Sequence, residues 1–429
     1  MISRYEVKEI AEIWSEVNKF KNYLKVELAH LKTLEKTGLV QSGVSDKLKN
    51  AQINPVRISE IEKTTNHDVI AFCTSITEQF PSELGRYFHY GITSSDIIDT
   101  AHALMIKDSM KIVRADLASL SSVLKIKMHE TSDLLCLGRS HGISAEAMIF
   151  GQKFCSFESE LQRRIQEWNE DILALTGKMS GAVGNYTIVS PEEEEETLKE
   201  LGLKVEKTSS QVIPRDQYAK IISTGALIGS LLERMATELR LLQHSDIDEV
   251  REGFSKGQKG SSTMPHKKNP ISSENITGLA RLLRSHLPPF LENCALWHER
   301  DISHSSVERM IFPDHFGLLS YSVRRMKGVI ENLVIDREKV ESKAKKSEKI
   351  YSSLVLHKLI ELNPSQSRES IYEIVQHSFF KSNNLQELLI NLKNDLSSAK
   401  LMHHCDEWIN FDNLKDHYKV QFEKVLKRQ

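Results

Sequence analysis

The chain has 429 residues, of which 40% are hydrophobic and 27% are charged, as expected of a globular protein long enough for more than one domain. Its 57 lysines and arginines nearly balance its 59 aspartates and glutamates, so the formal net charge is −2. This balance argues against a nucleic acid or an anionic membrane held by overall charge, and any anion site must be local.

The cysteines and the hydrophobic segments bear on the compartment. The five cysteines are scattered, odd in number and without a C-x-x-C pair: Cys73, Cys136, Cys155, Cys294 and Cys405. This pattern predicts buried thiols in a reducing compartment rather than disulfides or zinc ligands. The first residues lack an apolar signal core, and no run approaches the ~18 apolar residues of a membrane span. We therefore expect a cytoplasmic protein.

The N-terminal segment is predicted to be helical. Apolar residues recur at threes and fours over residues 9–36, and a second helix is predicted over residues 56–79. A turn rich in capping residues follows at Phe88-His89-Tyr90-Gly91-Ile92-Thr93-Ser94-Ser95-Asp96.

After Asp96 the pattern is almost entirely helical. Five long helices are predicted, over residues 97–132, 145–175, 218–247, 270–291 and 306–333. The third carries a heptad-like seam from Ile221 to Leu242, typical of a helix buried along a bundle. Because a seam of that length needs partners, we expect a long helical bundle in an oligomer.

The remaining segments are shorter. Ser190-Pro191 is predicted to cap a helix, and we interpret the acidic run Glu192–Glu196 as its first turn rather than a metal site. Strand is indicated only at residues 178–183 and 211–213. Short helices from about Glu341 onward predict a small C-terminal domain. The predicted domains are therefore residues 1–93, 94–340 and 341–429.

One motif stands out, at Gly260-Ser261-Ser262-Thr263-Met264-Pro265-His266-Lys267-Lys268-Asn269-Pro270. Gly253, Gly257 and Gly260 allow backbone N–H groups to approach an anion closely. Pro270 is suited to the first turn of the helix that follows. The stretch is therefore a cationic, hydroxyl-bearing loop in front of a helix.

The order of residues in this loop, G-S-S-x-M-P-x-K-x-N-P, resembles the signature of the fumarase/aspartase superfamily, whose members eliminate fumarate from a succinyl group. The resemblance implies an all-α, three-domain fold with a central long-helix bundle that assembles into a tetrameric helical core. It also implies that no metal and no cofactor take part.

Three histidines are candidates for proton transfer, because a histidine titrates near neutral pH. His141 is predicted to lie in a loop just before a helix, and taken alone it fits a structural role better than a catalytic one. His67 and His89 also fall at ends or bends of helices, which favours one shared pocket. These segments contain no H-E-x-x-H or H-x-x-x-H metal motif.

Together with the signature loop, the combination of Arg4-Tyr5, His67-Asp68, His89-x-Gly-x-Thr-Ser-x-Asp and Ser140-His141 resembles the bacterial adenylosuccinate lyase family, as far as about Arg309. By this resemblance Ser261 is the general base and His141 the general acid, with His89 and Lys267 also catalytic. Ser262 remains a rival to Ser261. A serine hydroxyl is a weak base, and chemistry alone would favour Lys267 for that role.

The resemblance also implies the binding residues. The succinyl carboxylates would contact Thr93, Ser94, Lys267 and Asn269, with Asn275 and Ser262 nearby. The phosphate and ribose would contact Arg4, Tyr5, Arg300, Ser305 and Arg309, since arginine suits phosphate. Asp68 and Gln211 would contact the base or carboxamide, while His67 would orient the phosphate side and His89 the region of His141. The implied partners are small nucleotide substrates and three further copies of the chain, in a homotetramer with shared active sites, without nucleic acid or membrane.

Two other functions stay open. Another superfamily member, such as a carboxymuconate cycloisomerase, an argininosuccinate lyase or an aspartase, would carry a similar loop. His89 and Arg4-Tyr5 favour a nucleotide substrate, because a substrate without phosphate has no use for Arg4. An inactive structural protein of the same fold is the third possibility, and the presence of Ser261, Lys267, Asn269 and His141 argues against it.

Overall fold

The computed structural model describes residues 2–254, 257, 260–261 and 263–428. The helices are α1 (Lys8–Ile13), α2 (Glu16–Lys36), α3 (Val44–Leu48), α4 (Pro55–Thr65), α5 (Asp68–Thr77), α6 (Ser82–Gly85), α7 (Ser94–Glu130), α8 (Gly151–Ala174), α9 (Pro191–Leu201), α10 (Asp216–Leu242), α11 (Ile271–Ser285), α12 (Leu287–Glu292), α13 (Ser303–Glu331), α14 (Arg337–Lys346), α15 (Ser352–Leu362), α16 (Arg368–Lys381), α17 (Leu385–Ser398), α18 (Cys405–Trp408) and α19 (Phe411–Leu426). Short 3-10 turns lie at Ser3–Tyr5 and Glu348–Tyr351. Helices dominate, which confirms the predicted all-α class.

The strands are few and short in the described part of the chain. They are β1 (Leu135–Ser140), β2 (Ile143–Ile149), β3 (Thr176–Gly177), β4 (Lys204–Val205), β5 (Val250–Arg251) and β6 (Val334–Ile335). β1 pairs with β2 and β5 with β6 in antiparallel fashion, whereas β3 and β4 are parallel. The strands predicted at residues 178–183 and 211–213 are wrong, because those segments form irregular loops.

The chain divides into two compact units, each made of three segments. The first unit comprises Met1–Ser119, Arg163–Glu233 and Ile276–Arg325. The second comprises Leu120–Gln162, Arg234–Asn275 and Met326–Gln429. The three-domain division of the sequence stays a prediction.

The long helices confirm the predicted bundle elements. Helix α7 has 37 residues, α10 has 27 and α13 has 29. The seam of α10 is buried at Ile221, Ile228, Leu232, Met235, Leu239 and Leu242. Burial along the whole helix is what a bundle helix requires.

Several predicted helices are divided by a local capping or breaking residue. Ser15 separates α1 from α2, since its side chain accepts a hydrogen bond from the Asn18 amide. Asn66 ends α4 in the left-handed conformation at φ 50°, and His67 then caps α5. The helix predicted over residues 270–291 divides at His286, ahead of the two prolines at the start of α12.

All five cysteines are free thiols, as predicted. Cys136, Cys155 and Cys405 are buried, but Cys294 is exposed and Cys73 is only partly buried. The prediction that all five are buried is therefore wrong for these two. The described residues contain no helix that is both long enough and apolar enough to cross a bilayer.

Candidate active site

His141 lies at the tip of a β-hairpin in the second unit. It occupies the two-residue turn between β1 and β2 with Gly142, and both residues have positive φ, 55° and 76°. The prediction of a loop before a helix over 145–175 is wrong, because residues 143–149 pair with β1 and α8 begins only at Gly151. The hairpin exposes the His141 side chain and leaves it little packing.

A bulge and an ion pair determine the shape and attachment of the hairpin. The pairing register shifts between Leu137 and Arg139, where a Cβ on Gly138 would lie 2.6 Å from the Glu146 carbonyl oxygen. Next to the bulge, the Arg139 guanidinium forms a bidentate pair with the buried Glu249 carboxylate. Glu249 precedes β5, so the hairpin is attached to the segment that leads into the signature loop.

Ser261 is held by the signature loop itself. Its Oγ accepts hydrogen bonds from the backbone N–H groups of Thr263, at 3.3 Å, and Met264, at 3.0 Å. Donors aimed at this oxygen stabilise negative charge on it, which an alkoxide base requires. The rival Ser262 lies outside the described residues.

Asn269 is hydrogen-bonded to the start of the signature motif. Its amide donates to the Gly260 carbonyl oxygen at 2.9 Å, and a Cβ on Gly260 would lie 2.0 Å from the Lys267 carbonyl oxygen. Only glycine fits at position 260 for this reason. Asn269, predicted to contact the substrate, therefore has a structural contact in the loop.

Lys267 lines a cavity of about 1030 Å³ together with Arg240, Lys268, Asn269 and Glu274. Arg251 also lines it but pairs with Asp248, and the hydrogen bonds from Arg251 and Lys339 lower the pKa of Asp248 to about 2. Because the side chains of Lys267 and Lys268 are positively charged, the cavity is suited to binding an anion. Neither His141 nor Ser261 is among its lining residues.

A buried carboxylate caps the start of α11, the helix that follows the loop. Glu252 accepts hydrogen bonds from the backbone amides of Ser272, at 3.1 Å, and Ser273, at 2.7 Å. A carboxylate here satisfies unpaired amides and complements the helix dipole of α11. Asn275, the predicted succinyl support, lies half-buried in the first turns of the same helix.

Thr93 and Ser94 lie at the start of α7 in the first unit. The Thr93 amide donates to the Asp96 carboxylate at 2.7 Å, and the buried Lys178 ammonium forms an ion pair with the same carboxylate. The Gly181 amide adds a third donor at 3.2 Å. The N-terminus of a long helix, held rigidly in this way, suits the binding of a carboxylate.

Replacing Lys178 by methionine should destabilise the fold by about 3–5 kcal/mol, because the Asp96 charge would stay buried without its partner. Both side chains are fully buried. The same change at Lys8, whose pair with Glu12 is 84% and 67% exposed, should have little effect. Denaturant unfolding of the two variants measures this, and equal midpoints would contradict it.

His67 and Asp68 begin α5. The His67 ring accepts a hydrogen bond from the Ile70 amide at 3.3 Å, so its Nδ1 serves the helix cap. Asp68 pairs with Arg309 at 2.7 Å. The structure thus joins a predicted base contact to a predicted phosphate contact.

Arg300 is attached to a buried charge network. It donates to the Gln211 side chain at 3.0 Å and to the His304 ring at 3.3 Å. The His304 ring in turn contacts Arg215, which is fully buried between the carboxylates of Asp99 and Glu308. Burial opposes ionisation of Asp99, but the charge and hydrogen bonds of Arg215 hold its pKa below the usual value. This network gives Arg300 a fixed position.

Three of the predicted phosphate and ribose contacts meet at one small cavity. Arg300, Ser305 and Arg309 line a space of about 50 Å³ together with Lys19 and His102. Arg4 and Tyr5 lie in the first 3-10 turn, where Arg4 is exposed and the Tyr5 ring packs edge-on against Tyr321 at 5.2 Å. Neither Arg4 nor Tyr5 is among the described residues that line this cavity.

His89 is bound to a buried carboxylate on α2. Its backbone N–H and its ring Nδ1 both contact Glu27, at 3.0 and 2.7 Å. In the first unit, His89 and Thr93 therefore lie on the same turn. A second group of predicted site residues is linked by hydrogen bonds, an ion pair and a shared cavity: Asp68, Gln211, Arg300, Ser305 and Arg309. The shared pocket of the three histidines stays a prediction, since His141 belongs to the second unit.

Most of the charged groups that hold these residues were not predicted from the sequence. They are Lys19, Glu27, Arg139, Lys178, Arg215, Glu249, Glu252 and Glu308. Only Glu27 carried a local signal, since it falls on the apolar stripe of α2 with Phe20, Tyr23, Leu24 and Leu31. The others are ordinary charged residues until their distant partners are known.

Comparison with known proteins decides the family. A lyase family model matches residues 5–283, more than half of the chain. The adenylosuccinate lyase of Thermotoga maritima is 41% identical over 406 residues, covering 94% of this chain and 94% of that protein. The adenylosuccinate lyase of Helicobacter pylori is 44% identical over 384 residues, covering 89% and 87%.

The chain belongs to the adenylosuccinate lyase family.

Members of the adenylosuccinate lyase family are carbon–nitrogen lyases, and this chain is one of them. Two solved structures share its fold. A fumarate lyase from Mesorhizobium sp. BNC1 has a TM-score of 0.85 at 19% identity over 100% of both chains. A 3-carboxy-cis,cis-muconate lactonizing enzyme from Pseudomonas putida has a TM-score of 0.84 at 21% identity, covering 99% and 97%. They confirm the predicted superfamily fold.

Proposed function

We propose that this adenylosuccinate lyase family member eliminates fumarate from adenylosuccinate to give AMP. It would carry out the same elimination on the ring-open precursor, succinylaminoimidazole carboxamide ribotide. The observation that carries the choice of a nucleotide is the cavity lined by Arg300, Ser305 and Arg309. Two guanidinium groups beside a hydroxyl match a phosphate. A carboxymuconate has no phosphate to place there.

The elimination moves one proton off carbon and one onto nitrogen. Ser261 Oγ, as an alkoxide, removes a proton from the succinyl carbon beside a carboxylate. The electron pair then expels the substituted nitrogen as the C–N bond breaks, and His141 protonates that nitrogen. Fumarate and the amine product leave, and a proton returned to His141 and lost from Ser261 restores the site.

Charge stabilisation is assigned to groups around the two reacting atoms. The amides of Thr263 and Met264 support the Ser261 alkoxide. The Lys267 ammonium and the start of α7 at Thr93 and Ser94 bind the carboxylates, where charge grows as the carbanion forms. One preorganised donor of this kind is worth about 10²–10³ in rate.

We also propose a cytoplasmic homotetramer with shared active sites. Large apolar side chains stay exposed on the long helices of the first unit: Leu173 at 68%, Leu227 at 46%, Leu282 at 48% and Met310 at 69%. Exposed apolar residues on bundle helices favour burial against other copies.

The purified protein should convert adenylosuccinate to AMP and fumarate in equal amounts, followed by ultraviolet absorbance and product chromatography. The parallel reaction uses 3-carboxymuconate at the same concentration, because the lactonizing enzyme shares the fold. Consumption of carboxymuconate without turnover of adenylosuccinate would contradict the proposed function. Turnover of neither would support a structural role instead.

A further inference from the structure

Glu27 is a carboxylate on the apolar face of a core helix. Its side chain is fully buried, and its neighbours along the same face of α2 include Tyr23, Leu24 and Leu31. Leaving a carboxylate in such surroundings is unfavourable unless hydrogen bonds compensate it. Hydrogen bonds to His89 provide this compensation for Glu27.

Both oxygens of Glu27 bind the same residue, 62 positions away. Oε2 accepts from the His89 backbone N–H at 3.0 Å, and Oε1 lies 2.7 Å from the ring Nδ1. Because a carboxylate only accepts, Nδ1 must carry the proton. Nε2 is then the ring nitrogen left for a ligand, and the side chain is 19% exposed.

The backbone at His89 is also constrained. Its φ is 64°, in the left-handed region that few residues other than glycine adopt. The next residue is held as well, since the Tyr90 carbonyl oxygen contacts the ring Nε2 of the buried His30 at 2.8 Å. Glu27 and His30, one turn apart on α2, thus hold the turn that leads to Thr93.

We infer that Glu27 is a positioning residue for His89, holding the protonated ring by Nδ1–H so that the Nε2–H of the imidazolium donates a hydrogen bond to an oxyanion of the substrate. This inference rests on the proposed function, which supplies a substrate with phosphate and carboxylate groups. The carboxylate–histidine arrangement resembles the way in which proteins orient a histidine for a ligand at its second nitrogen.

The charge of His89 follows from the same geometry. Burial disfavours the imidazolium, yet the hydrogen bond and charge of Glu27 on α2, with Asp96 on α7, raise the pKa of His89 above its usual value. Further titratable groups near the pair include Cys73 on α5 and Tyr23 and His30 on α2. Oxyanion binding should therefore persist at low pH and decline as the pH rises through the raised pKa.

Cys73 is close to the pair without being needed by it. Its Sγ lies 4.0 Å from Glu27 Oε1, and the ligand atoms of the three residues fall within 4.8 Å of one another. Burial raises the pKa of the Cys73 thiol well above its usual value, so it stays protonated. We therefore treat the group as a hydrogen-bonded pair beside a thiol.

Glu27→Gln should raise the KM for adenylosuccinate by roughly tenfold or more, the effect of losing one charge-assisted hydrogen bond, with a smaller change in kcat. Glu158→Gln is the matched control, since Glu158 is also fully buried and binds only Ser121, Gln162 and Lys125 among the described residues. Cys73→Ser should leave KM within about twofold of the wild type. A Cys73→Ser variant as impaired as Glu27→Gln would overturn the inference in favour of a three-ligand metal site.

Product inhibition identifies the oxyanion. In Glu27→Gln, weaker inhibition by AMP but not by adenosine assigns the contact to the phosphate. Weaker inhibition by fumarate assigns it to the succinyl carboxylate. Unchanged inhibition by both would overturn the inference.

A titration keeps the inference testable if Glu27→Gln does not fold or if the proposed function fails. Imidazole NMR signals of the wild-type protein report both tautomer and pKa, with the His89 signal assigned by its loss in His89→Asn. We expect an Nδ1–H tautomer and a pKa above the usual value of about 6.5. In a folded Glu27→Gln protein the pKa should fall below that value, since burial remains. An Nε2–H tautomer in the wild type would overturn the inference whatever the activity.

Discussion

His141→Asn should keep its fold and lose turnover by roughly 10²–10⁴-fold, the usual contribution of a general acid. The side chain is exposed at the tip of the hairpin, so its removal costs little packing. Asparagine is the better replacement than alanine, because the position has φ 55° and asparagine followed by glycine is favoured in such turns. The measurement is kcat with adenylosuccinate, with circular dichroism to check the fold.

The matched control is His298→Asn. His298 is also an exposed histidine in the left-handed conformation, with φ 48°. The same substitution there controls for the effect of placing asparagine at a position with positive φ. It should keep near wild-type turnover. A His141→Asn protein retaining more than about a tenth of wild-type kcat would show that another group supplies the proton.

Mixing His141→Asn with Ser261→Ala should restore activity that neither variant has alone. Ser261 and His141 are held by separate parts of the second unit, and neither lines the cavity beside the signature loop. In the proposed tetramer we expect the two residues of one working site to come from different chains. In random mixed tetramers, about a quarter of the sites would then combine an intact His141 with an intact Ser261.

The experiment requires mild dissociation of the mixed variants, reassembly and native mass measurement of the products. Each variant treated alone in the same way is the control. Mixed tetramers with no recovered turnover would place both residues of each site on one chain.

The local sequence determined the elements whose formation depends on near neighbours. Ser190 caps α9 as predicted, with its side chain accepting from the Glu193 amide, and the Glu193 side chain accepts from the Ser190 amide in return. The seam of α10 is buried throughout, because a repeat of threes and fours specifies a helix face wherever the helix packs. The signature loop by itself indicated the superfamily, since its residue order is specific.

The tertiary structure decided what depends on distant partners. Residues 145–148, Ala-Glu-Ala-Met, favour a helix by composition, yet they form a strand because β1 offers hydrogen bonds that a helix there would forgo. His141 therefore lies at the tip of a hairpin and not, as predicted, in a loop just before a helix.

The buried charged pairs could not be predicted from the local sequence either. Glu27 meets His89 across 62 residues and Asp96 meets Lys178 across 82, and no local pattern encodes either meeting. The sequence by itself determined the long helices α7, α10 and α13, the signature loop and the family. Only the tertiary structure decided which charges are buried together, because the energy of a buried ion pair exists only once folding has removed both groups from water.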